Sequence, residues 1–355
     1  MASAVFFANG FGDSIICRPT HIALASVLPR PSVFIYGGRD NEFMFRDLGY
    51  DAFIKIDWHT NPTDLAEFNV AQIDLTDWDV DLFVSSVPWF SRGMQGLIEK
   101  CNARRTVGYF DAFTDVVSRH RNLNAVEQSF DLARLFQSDA DINDYKRDIP
   151  FSAAAKRFCI DIRRQLSERG VHRVIAVHAE TAAAKMPEPR VFSQTLCQTL
   201  SETGDVGVFV VGGRSAEVVC PCHAHRMFHI RGLNLELAMA AVASADIFFG
   251  VDSCMLHVAD YCGVPGAALF GDSDSVQFGY YWTEGIHINF KGRPASAVVS
   301  DSVEVLVGLL TPQISVISQR GSRRRPNGTE GQLELSSAAF QELKTKAESC
   351  SAQGL

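Results

Sequence analysis

Residues 233–271 read LNLELAMAAVASADIFFGVDSCMLHVADYCGVPGAALFG, and this stretch decides the fold of the second half of the chain. A segment with helical character (235–244) precedes a short aromatic and apolar run (246–250), and a polar turn, DSC (252–254), follows that run. A second helical segment then leads through the turn GVPG into another apolar run. Because strands that are buried on both faces read as continuous apolar runs, this alternation predicts a strand–turn–helix–strand unit of a parallel sheet.

Similar runs recur on both sides of this unit, each followed by a helical segment or a cluster of turn residues. We predict five strands in the first half of the chain and six in the second half. The predicted strands are Ala4–Ala8, Ser32–Gly38, Ala52–Ile56, Asp81–Pro88 and Thr106–Phe110, then Arg173–Glu180, Val206–Gly213, Met227–Ile230, Asp246–Gly250, Gly266–Gly271 and Ile286–Phe290. The pattern predicts an α/β protein with two doubly wound parallel sheets that face each other across a cleft.

The two series of strands are separated by residues 135–156, which carry no strand signal. We therefore predict a first domain over residues 1–150 and a second domain over residues 151–317. Residues 318–355 begin with a segment rich in Gly, Pro and Arg, which predicts a linker. They continue into an amphipathic pattern that predicts a C-terminal helix.

The composition excludes several classes of protein. Hydrophobic residues make up 46% of the 355 residues, charged residues 21%, and the formal net charge is −8. An acidic chain has no general basic field to attract nucleic acid, and no apolar stretch reaches the roughly 18 residues of a membrane span. Nine scattered cysteines do not suggest a disulfide framework. With no basic region ahead of its first apolar run, the chain is expected to be cytoplasmic.

The stretch NGFGDSIICRP (9–19) follows the first predicted strand. It is not a dinucleotide fingerprint, because Ile15 stands where the third glycine belongs, and it lacks the Gly-Lys-Ser/Thr of a phosphate-binding P-loop. Two interpretations remain open. Asp13 is a general base aimed at a substrate hydroxyl in the cleft, or Asp13 or Ser14 only caps the following helix.

The second half carries residue types suited to a nucleotide or sugar phosphate. Thr181 and Lys185 precede a helix predicted to begin near residue 189, and a hydroxyl, an amine and a helix N-terminus suit a phosphate. Gly213 ends the next strand, where the backbone can approach a ligand closely. Glu217 offers two oxygens to a ribose diol, unless it is a surface glutamate in a first helical turn.

The turn after the strand at 246–250 offers further ligand contacts. Asp252 accepts hydrogen bonds from hydroxyls, while the amides around Ser253 and the ring of His257, one helical turn later, can donate to a sugar or a diphosphate. A core histidine and a simple Asp cap are the alternatives for these residues. Trp89 follows another predicted strand, in VPWFSRGMQ (87–95), either on the acceptor side of the cleft or in the core.

In order and content these motifs resemble glycosyltransferase family nine, the ADP-heptose:lipopolysaccharide heptosyltransferase-like enzymes with a GT-B fold of two facing Rossmann-like domains. The resemblance rests on GFGDSIICRPT (10–20), TAAAK (181–185), GGRSAE (212–217) and FFGVDSCMLHVADYCGVPGAALFG (248–271). The last stretch corresponds to the family's Asp-Ser/Thr-Gly turn, helical histidine and Gly-x-Pro turn. Cys254 stands where the family usually has glycine.

The resemblance implies a role for each of these residues. Asp13 would be the catalytic base, Lys185 and Thr181 would contact the donor phosphates, and Glu217 would hold the ribose. The other donor-binding residues would be Gly213, Asp252, Ser253, Cys254 and His257, and the acceptor-side residues would be Asn9, Gly12 and Trp89.

The implied reaction is an inverting, metal-independent transfer of a sugar from a nucleotide-diphosphate sugar, such as an ADP-heptose-like donor, to an acceptor hydroxyl. No cofactor is expected. The acceptor would be a saccharide, a protein or a small molecule, and a lipid-linked acceptor would make the enzyme peripheral to a membrane. The alternatives are a nucleotide-sugar epimerase or hydrolase of the same fold and a non-catalytic nucleotide-sugar-binding scaffold.

One other cluster lies outside these motifs. CPCHAHRMFH (220–229) holds two cysteines and three histidines within ten residues. Its spacing matches no recognised zinc finger, so we expect a loop with buried thiols, and a structural metal site is the alternative.

Overall fold

In the computed structural model, residues 2–38, 41–60, 66–120, 122–182, 185–212, 218–232 and 234–311 are described. Eight strands lie in the first half of these ranges. They are β1 (Ala2–Ala8), β2 (Ser32–Gly37), β3 (Ala52–Ile56), β4 (Trp58–Thr60), β5 (Ala66–Phe68), β6 (Val80–Ser85), β7 (Arg105–Gly108) and β8 (Asp115–Val116). Strands β4 and β5 pair antiparallel, and the other six form a parallel sheet in the order β3-β2-β1-β6-β7-β8.

The second half contains a sheet of the same design. Its strands are β9 (Arg173–His178), β10 (Val206–Gly212), β11 (Met227–Arg231), β12 (Ile247–Val251), β13 (Gly266–Phe270) and β14 (Gly285–Asn289). They pair in parallel in the order β11-β10-β9-β12-β13-β14. In both sheets the strand order reverses beside the first strand, and ligands of such sheets bind outside the carboxyl ends of the strands at this point.

Helices cover the sheets. In the described ranges they are α1 (Phe11–Ile16), α2 (Arg18–Val27), α3 (Arg92–Cys101), α4 (Ala125–Arg134), α5 (Ala153–Ser167), α6 (Arg190–Glu202), α7 (Leu235–Ala243), α8 (Cys254–Tyr261), α9 (Ser275–Phe278) and α10 (Ala295–Leu310). None of them combines the length and the apolar composition that crossing a membrane requires.

Two buried clusters form the core. One runs from the first sheet through α5, α7 and α8 to the near face of the second sheet. The other fills the space between the far face of the second sheet and the helices α6 and α10, which pack along each other. The first of these two clusters contains residues of both sheets and therefore joins the two halves of the chain.

Polar contacts also join the halves. The side chain of Asn124, the N-cap of α4, donates to the backbone oxygens of Val276 (3.3 Å) and Gly279 (3.1 Å). The hydroxyl of Tyr261 in α8 donates to the backbone oxygen of Arg147 at 2.7 Å. The two sheets are thus held facing each other, with α1 of the first half against α8 of the second.

The structure confirms the predicted fold class. All eleven predicted strands coincide with strands, and α7 begins at Leu235, as predicted. The sequence did not predict β8 or the hairpin of β4 and β5. The predicted domain boundary at residue 150 stays a prediction, and the predicted linker and C-terminal helix (318–355) lie outside the described residues.

Candidate active site

Asp13 lies in the first turn of α1, close behind the end of β1. The N-cap of this helix is Gly10, whose φ of −62° and ψ of 165° are extended, so neither Asp13 nor Ser14 occupies the capping position. The carboxylate of Asp13 instead accepts hydrogen bonds from the backbone N–H groups of Gly10 and of Asp13 itself. Asp13 therefore stabilises the start of the helix from within its first turn. A carboxylate has further acceptor positions, so these bonds leave Asp13 able to accept a proton from a ligand in the cleft.

The surroundings of Asp13 change its acidity. Burial raises the pKa of its carboxyl from 3.8 to about 6; the hydrogen bonds to it and the positive charge of Lys185 act against this rise, and the negative charge of Asp252 adds to it. Both charged partners belong to the second half of the chain, so Asp13 lies within electrostatic reach of them. A carboxyl that titrates near 6 is well matched to proton abstraction at neutral pH.

The glycine turn of α1 touches the start of α8. A Cβ atom on Gly12 would lie 2.9 Å from Cδ2 of His257 and 3.5 Å from Cα of Cys254. Real Cβ atoms are not found as close as the first of these distances, so glycine permits this approach. The contact places the turn after β1 directly opposite the turn after β12.

An ion pair lies on the other side of this contact. Asp252, which follows β12, has a side chain that is 5% exposed, and its Oδ2 lies 2.6 Å from Nζ of Lys185, whose side chain is 37% exposed. The hydroxyl of Thr181 donates to the backbone oxygen of Asp252 at 2.9 Å, and Nζ of Lys185 lies 5.8 Å from the ring centroid of Phe278. Because an ammonium group has three donors, the ion pair leaves Lys185 able to bind an anion as well.

The N-terminus of α8 completes the anion-binding features. Ser253 is its N-cap but makes no side-chain capping bond, and its Oγ is buried without a hydrogen-bond partner among the described residues. A buried hydroxyl without a partner beside the free amides of a first helical turn suits a polar ligand. Burial lowers the pKa of His257 to about 4, so its ring is neutral at pH 7 and has one N–H to donate. Burial also raises the pKa of the Cys254 thiol to about 11.

The predicted acceptor-side residues lie at the carboxyl edge of the first sheet. Asn9 and Gly12 are in or beside the turn after β1, and Trp89 follows β6. The indole N–H of Trp89 donates to the backbone oxygen of Ala8, the last residue of β1, at 3.1 Å. Sequence reasoning missed Trp58, which lies beside Trp89. Its signal was available, because Trp58 follows a predicted strand in the same way as Trp89.

Two of the predicted donor-binding residues lie outside the part of the chain that the structure describes. Gly213 and Glu217 lie outside the described residues, and their roles stay predictions. The residues that the structure does describe from both halves, Asp13, Thr181, Lys185, Asp252, Ser253, Cys254 and His257, follow the carboxyl ends of β1, β9 and β12.

The cysteine and histidine cluster has other contacts. Sγ of Cys220 lies 2.6 Å from Sγ of Cys197 in α6, and Nε2 of His223 lies 3.1 Å from the hydroxyl of Ser201. Within the described ranges, no three His, Cys, Asp or Glu side chains come together as a metal ion would require. The cluster therefore packs against α6 through Cys220, which is buried, whereas Cys222 is exposed, contrary to the expectation of buried thiols, and the last residues of the cluster belong to β11.

Comparisons with known proteins agree with this arrangement. The model of glycosyltransferase family 9 (heptosyltransferase) matches residues 101–303. A glycosyl transferase family 9 protein from Veillonella parvula is 17% identical, with a TM-score of 0.64 over 81% of this chain and 85% of that one. The ADP-heptose lipopolysaccharide heptosyltransferase II of E. coli is 13% identical, with a TM-score of 0.62 over 87% and 97% of the two chains. No curated protein matches the sequence significantly.

A third solved structure, an E. coli heptosyltransferase with ADP, is 13% identical and has a TM-score of 0.56 over 85% of this chain and 98% of that one. At such identities the solved structures establish the fold of two Rossmann-like sheets. The family model covers more than half of the chain, including β12, α8 and the ion pair of Lys185 and Asp252. The chain is therefore a glycosyltransferase of GT-B fold and belongs to glycosyltransferase family 9.

Proposed function

We propose that this protein is an inverting glycosyltransferase that moves a sugar from a nucleoside-diphosphate sugar to an acceptor hydroxyl, with Asp13 as the general base. One observation carries the proposal: a carboxyl with a pKa raised to about 6 lies in one half of the chain, opposite a lysine and a helix N-terminus from the other half. The first group suits deprotonation of an acceptor, and the second suits a leaving diphosphate.

The proposed reaction is a single in-line displacement. The acceptor oxygen attacks the anomeric carbon as its proton passes to the Asp13 carboxylate, and the bond from that carbon to the diphosphate oxygen breaks on the opposite side. The sugar is thereby transferred with inversion, and the electron pair of the broken bond stays on the diphosphate. The residue that must balance this new charge is Lys185, assisted by the amides that begin α8.

Each donor-side residue then has a task. The ammonium group of Lys185 donates one N–H to the diphosphate and another to Asp252. Asp252 is held in place because it directly follows the end of β12. Ser253 and neutral His257 donate to phosphate or sugar oxygens. Because these groups supply the neutralisation, we propose that the reaction needs no metal ion and no cofactor. Gly213 and Glu217 are proposed to contact the nucleoside.

The donor is proposed to be of the ADP-heptose type, since two of the similar solved structures are named for ADP-heptose or contain ADP. We further propose that the enzyme acts in the cytoplasm, and at a membrane surface if its acceptor is lipid-linked. Neither proposal depends on the role of Asp13.

A thermal-shift screen tests the donor site. Full-length protein is melted with ADP, UDP, GDP and CDP, and at 100 times its dissociation constant a ligand stabilises the folded state by about 2.7 kcal/mol. At least one nucleoside diphosphate should raise the melting temperature, also in the presence of EDTA. If none does, the proposed donor site is wrong.

Turnover of the matching sugar nucleotide separates the related activities. Transfer requires an acceptor and yields one nucleoside diphosphate per sugar attached. Release of free sugar or an epimer without any acceptor would instead indicate a hydrolase or epimerase. Binding without turnover in any acceptor mixture would indicate a non-catalytic scaffold.

A further inference from the structure

Two thiols meet between α6 and the segment that leads into β11. Sγ of Cys197 lies 2.6 Å from Sγ of Cys220, although the two residues are 23 positions apart in the chain. Two sulfur atoms are about 2.05 Å apart once they form a disulfide. A small movement of the side chains would therefore bring this pair to bonding distance.

Contacts on both sides hold the two backbones in this position. One helical turn before Cys197, the hydroxyl of Ser193 accepts a hydrogen bond from the backbone N–H of Val219 at 3.1 Å. One turn after Cys197, the hydroxyl of Ser201 lies 3.1 Å from Nε2 of His223. Residues spaced by four share one face of a helix. The pair of thiols thus lies between two polar contacts on one face of α6, so a bond there would require little movement of the backbone.

The two thiols differ in their access to solvent. Cys197 is half-buried, whereas Cys220 is buried. Burial and the contact with Cys197 raise the pKa of the Cys220 thiol to about 12, so this thiol keeps its proton at neutral pH. A reagent that arrives from solvent therefore meets Cys197 first, with Cys220 directly behind it.

Cys197 also lines a groove between α6 and α10. The groove has a volume of about 410 Å³, which is within the range of small-molecule sites. Most of its other side chains are uncharged amides and hydroxyls, which donate and accept hydrogen bonds and therefore suit the amide groups of a short peptide. The residues that line it besides Cys197 are Gln194, Gln198, Ser296, Val299 and Ser300.

We propose that Cys197 and Cys220 form a redox-active pair, which a low-molecular-weight peptide disulfide such as glutathione disulfide oxidises at this groove. The thiolate of Cys197 attacks one sulfur of the peptide disulfide, which gives a mixed disulfide and releases the first peptide thiol. The sulfur of Cys220, after losing its proton, attacks Sγ of Cys197 and releases the second peptide thiol.

The two steps balance. Two protein thiols are oxidised to one disulfide, one peptide disulfide is reduced to two thiols, and the two protons of the pair end on the released thiols. Disulfides that form in a reducing compartment are usually transient and sense the redox state, and a pair with one accessible member fits that use. The inference does not depend on the proposed glycosyl transfer.

The test uses reduced full-length protein that is incubated with glutathione disulfide. The remaining thiols are then blocked with a maleimide, and peptide mapping by mass spectrometry locates each bond. In wild type a disulfide should join Cys197 to Cys220, and dithiothreitol should remove it. Cys222→Ser is the matched control, because Cys222 is exposed and belongs to the same cluster. This variant should form the same bond.

Two further variants test the order of the steps. Cys220→Ser should stop at the mixed disulfide, with glutathione retained on Cys197. Cys197→Ser should leave Cys220 without glutathione, because no accessible thiol precedes it. Glutathione on Cys220 in this variant, or its absence from Cys197 in Cys220→Ser, would contradict the proposed order of attack.

Two results would overturn the redox-active pair itself. One is the absence of a bond between Cys197 and Cys220 in wild type, and the other is a bond that is lost in Cys222→Ser. Should Cys220→Ser fail to fold, the maps of wild type and Cys222→Ser decide alone. The melting-temperature shift with nucleoside diphosphates tests the proposed function separately, since it is measured on the reduced protein.

Discussion

Replacement of Asp13 by asparagine tests whether its carboxylate costs stability through burial or stabilises α1 through its two backbone hydrogen bonds. Burial raises the pKa of Asp13 from 3.8 to about 6, so the folded protein binds this proton more tightly than the unfolded chain. The corresponding stability is fully present below pH 3.8 and is lost as the pH rises through 6. A difference of about 2.2 units corresponds to about 3 kcal/mol at neutral pH.

Asp13→Asn has no charge to bury and should therefore be more stable than wild type at pH 7.5. The gain should be smaller than about 3 kcal/mol, because the neutral amide accepts the two backbone hydrogen bonds more weakly. Urea unfolding at pH 7.5 and at pH 4 measures it, and the gain should disappear at the lower pH. Asp141→Asn is the matched control: backbone and side-chain hydrogen bonds from Asn143 lower the pKa of Asp141, so this variant should lose stability at pH 7.5.

Activity gives the second half of this prediction. An asparagine cannot accept a proton, so kcat should fall by about 10²- to 10⁴-fold, with donor binding unchanged. With a pKa of about 6, roughly nine-tenths of Asp13 is ionised at pH 7 and roughly one-tenth at pH 5, so kcat/KM of wild type should fall on the acid side. Lower stability of Asp13→Asn at pH 7.5 would show that the backbone hydrogen bonds of the carboxylate outweigh the cost of its burial, and near-normal turnover would refute the base assignment.

Three other substitutions test the donor side and its support. Lys185→Met should abolish the rise in melting temperature that a nucleoside diphosphate gives to wild type. The control is Lys291→Met, which removes an exposed ion pair with Asp272 and should keep the rise. Equal rises in the two variants would refute the contact between Lys185 and the phosphates. Cys254→Gly should keep the donor affinity measured by calorimetric titration within about threefold of wild type. It should lower the free energy of unfolding by up to about 1 kcal/mol, because glycine weakens a helix. A large loss of affinity would assign the thiol a binding role. Asp260→Ala leaves the N–H groups of residues 281–283 without their acceptor and should cost about 1–3 kcal/mol in urea unfolding; unchanged stability would show that this loop is held by other contacts.

Most strands of the two sheets were predictable because the inner strands β1, β2, β6, β9, β10, β12 and β13 are buried on both faces and form apolar runs of five to seven residues. The edge strands β3 and β14 keep exposed residues, but their runs are equally long. Strand β8 has only two residues, which is too short for any periodic signal. The hairpin strands β4 and β5 have three residues each and lie outside the sheets, so no rule of sheet burial applies to them.

The candidate site was predictable in part because the strands were. Polar residues that follow parallel strands gather at one edge of a sheet, which brought Asp13, Lys185 and Asp252 into consideration. Their pairing was not predictable, because Lys185 and Asp252 are 67 residues apart and only the folded chain brings them to 2.6 Å. The raised pKa of Asp13 was equally hidden, since it arises mainly from burial of the carboxyl in the folded chain.

The close approach of Gly12 to the ring of His257 has a consequence for how the gap between donor and acceptor is set. A methyl group there would lie 2.9 Å from Cδ2 of His257, so either that ring or α1 would have to move, and no functional group would be deleted. We therefore expect the size of residue 12 to bear on the distance between the turn after β1 and the turn after β12. Gly12→Ala and Gly12→Ser would test this expectation without removing any of the candidate catalytic or donor-binding side chains.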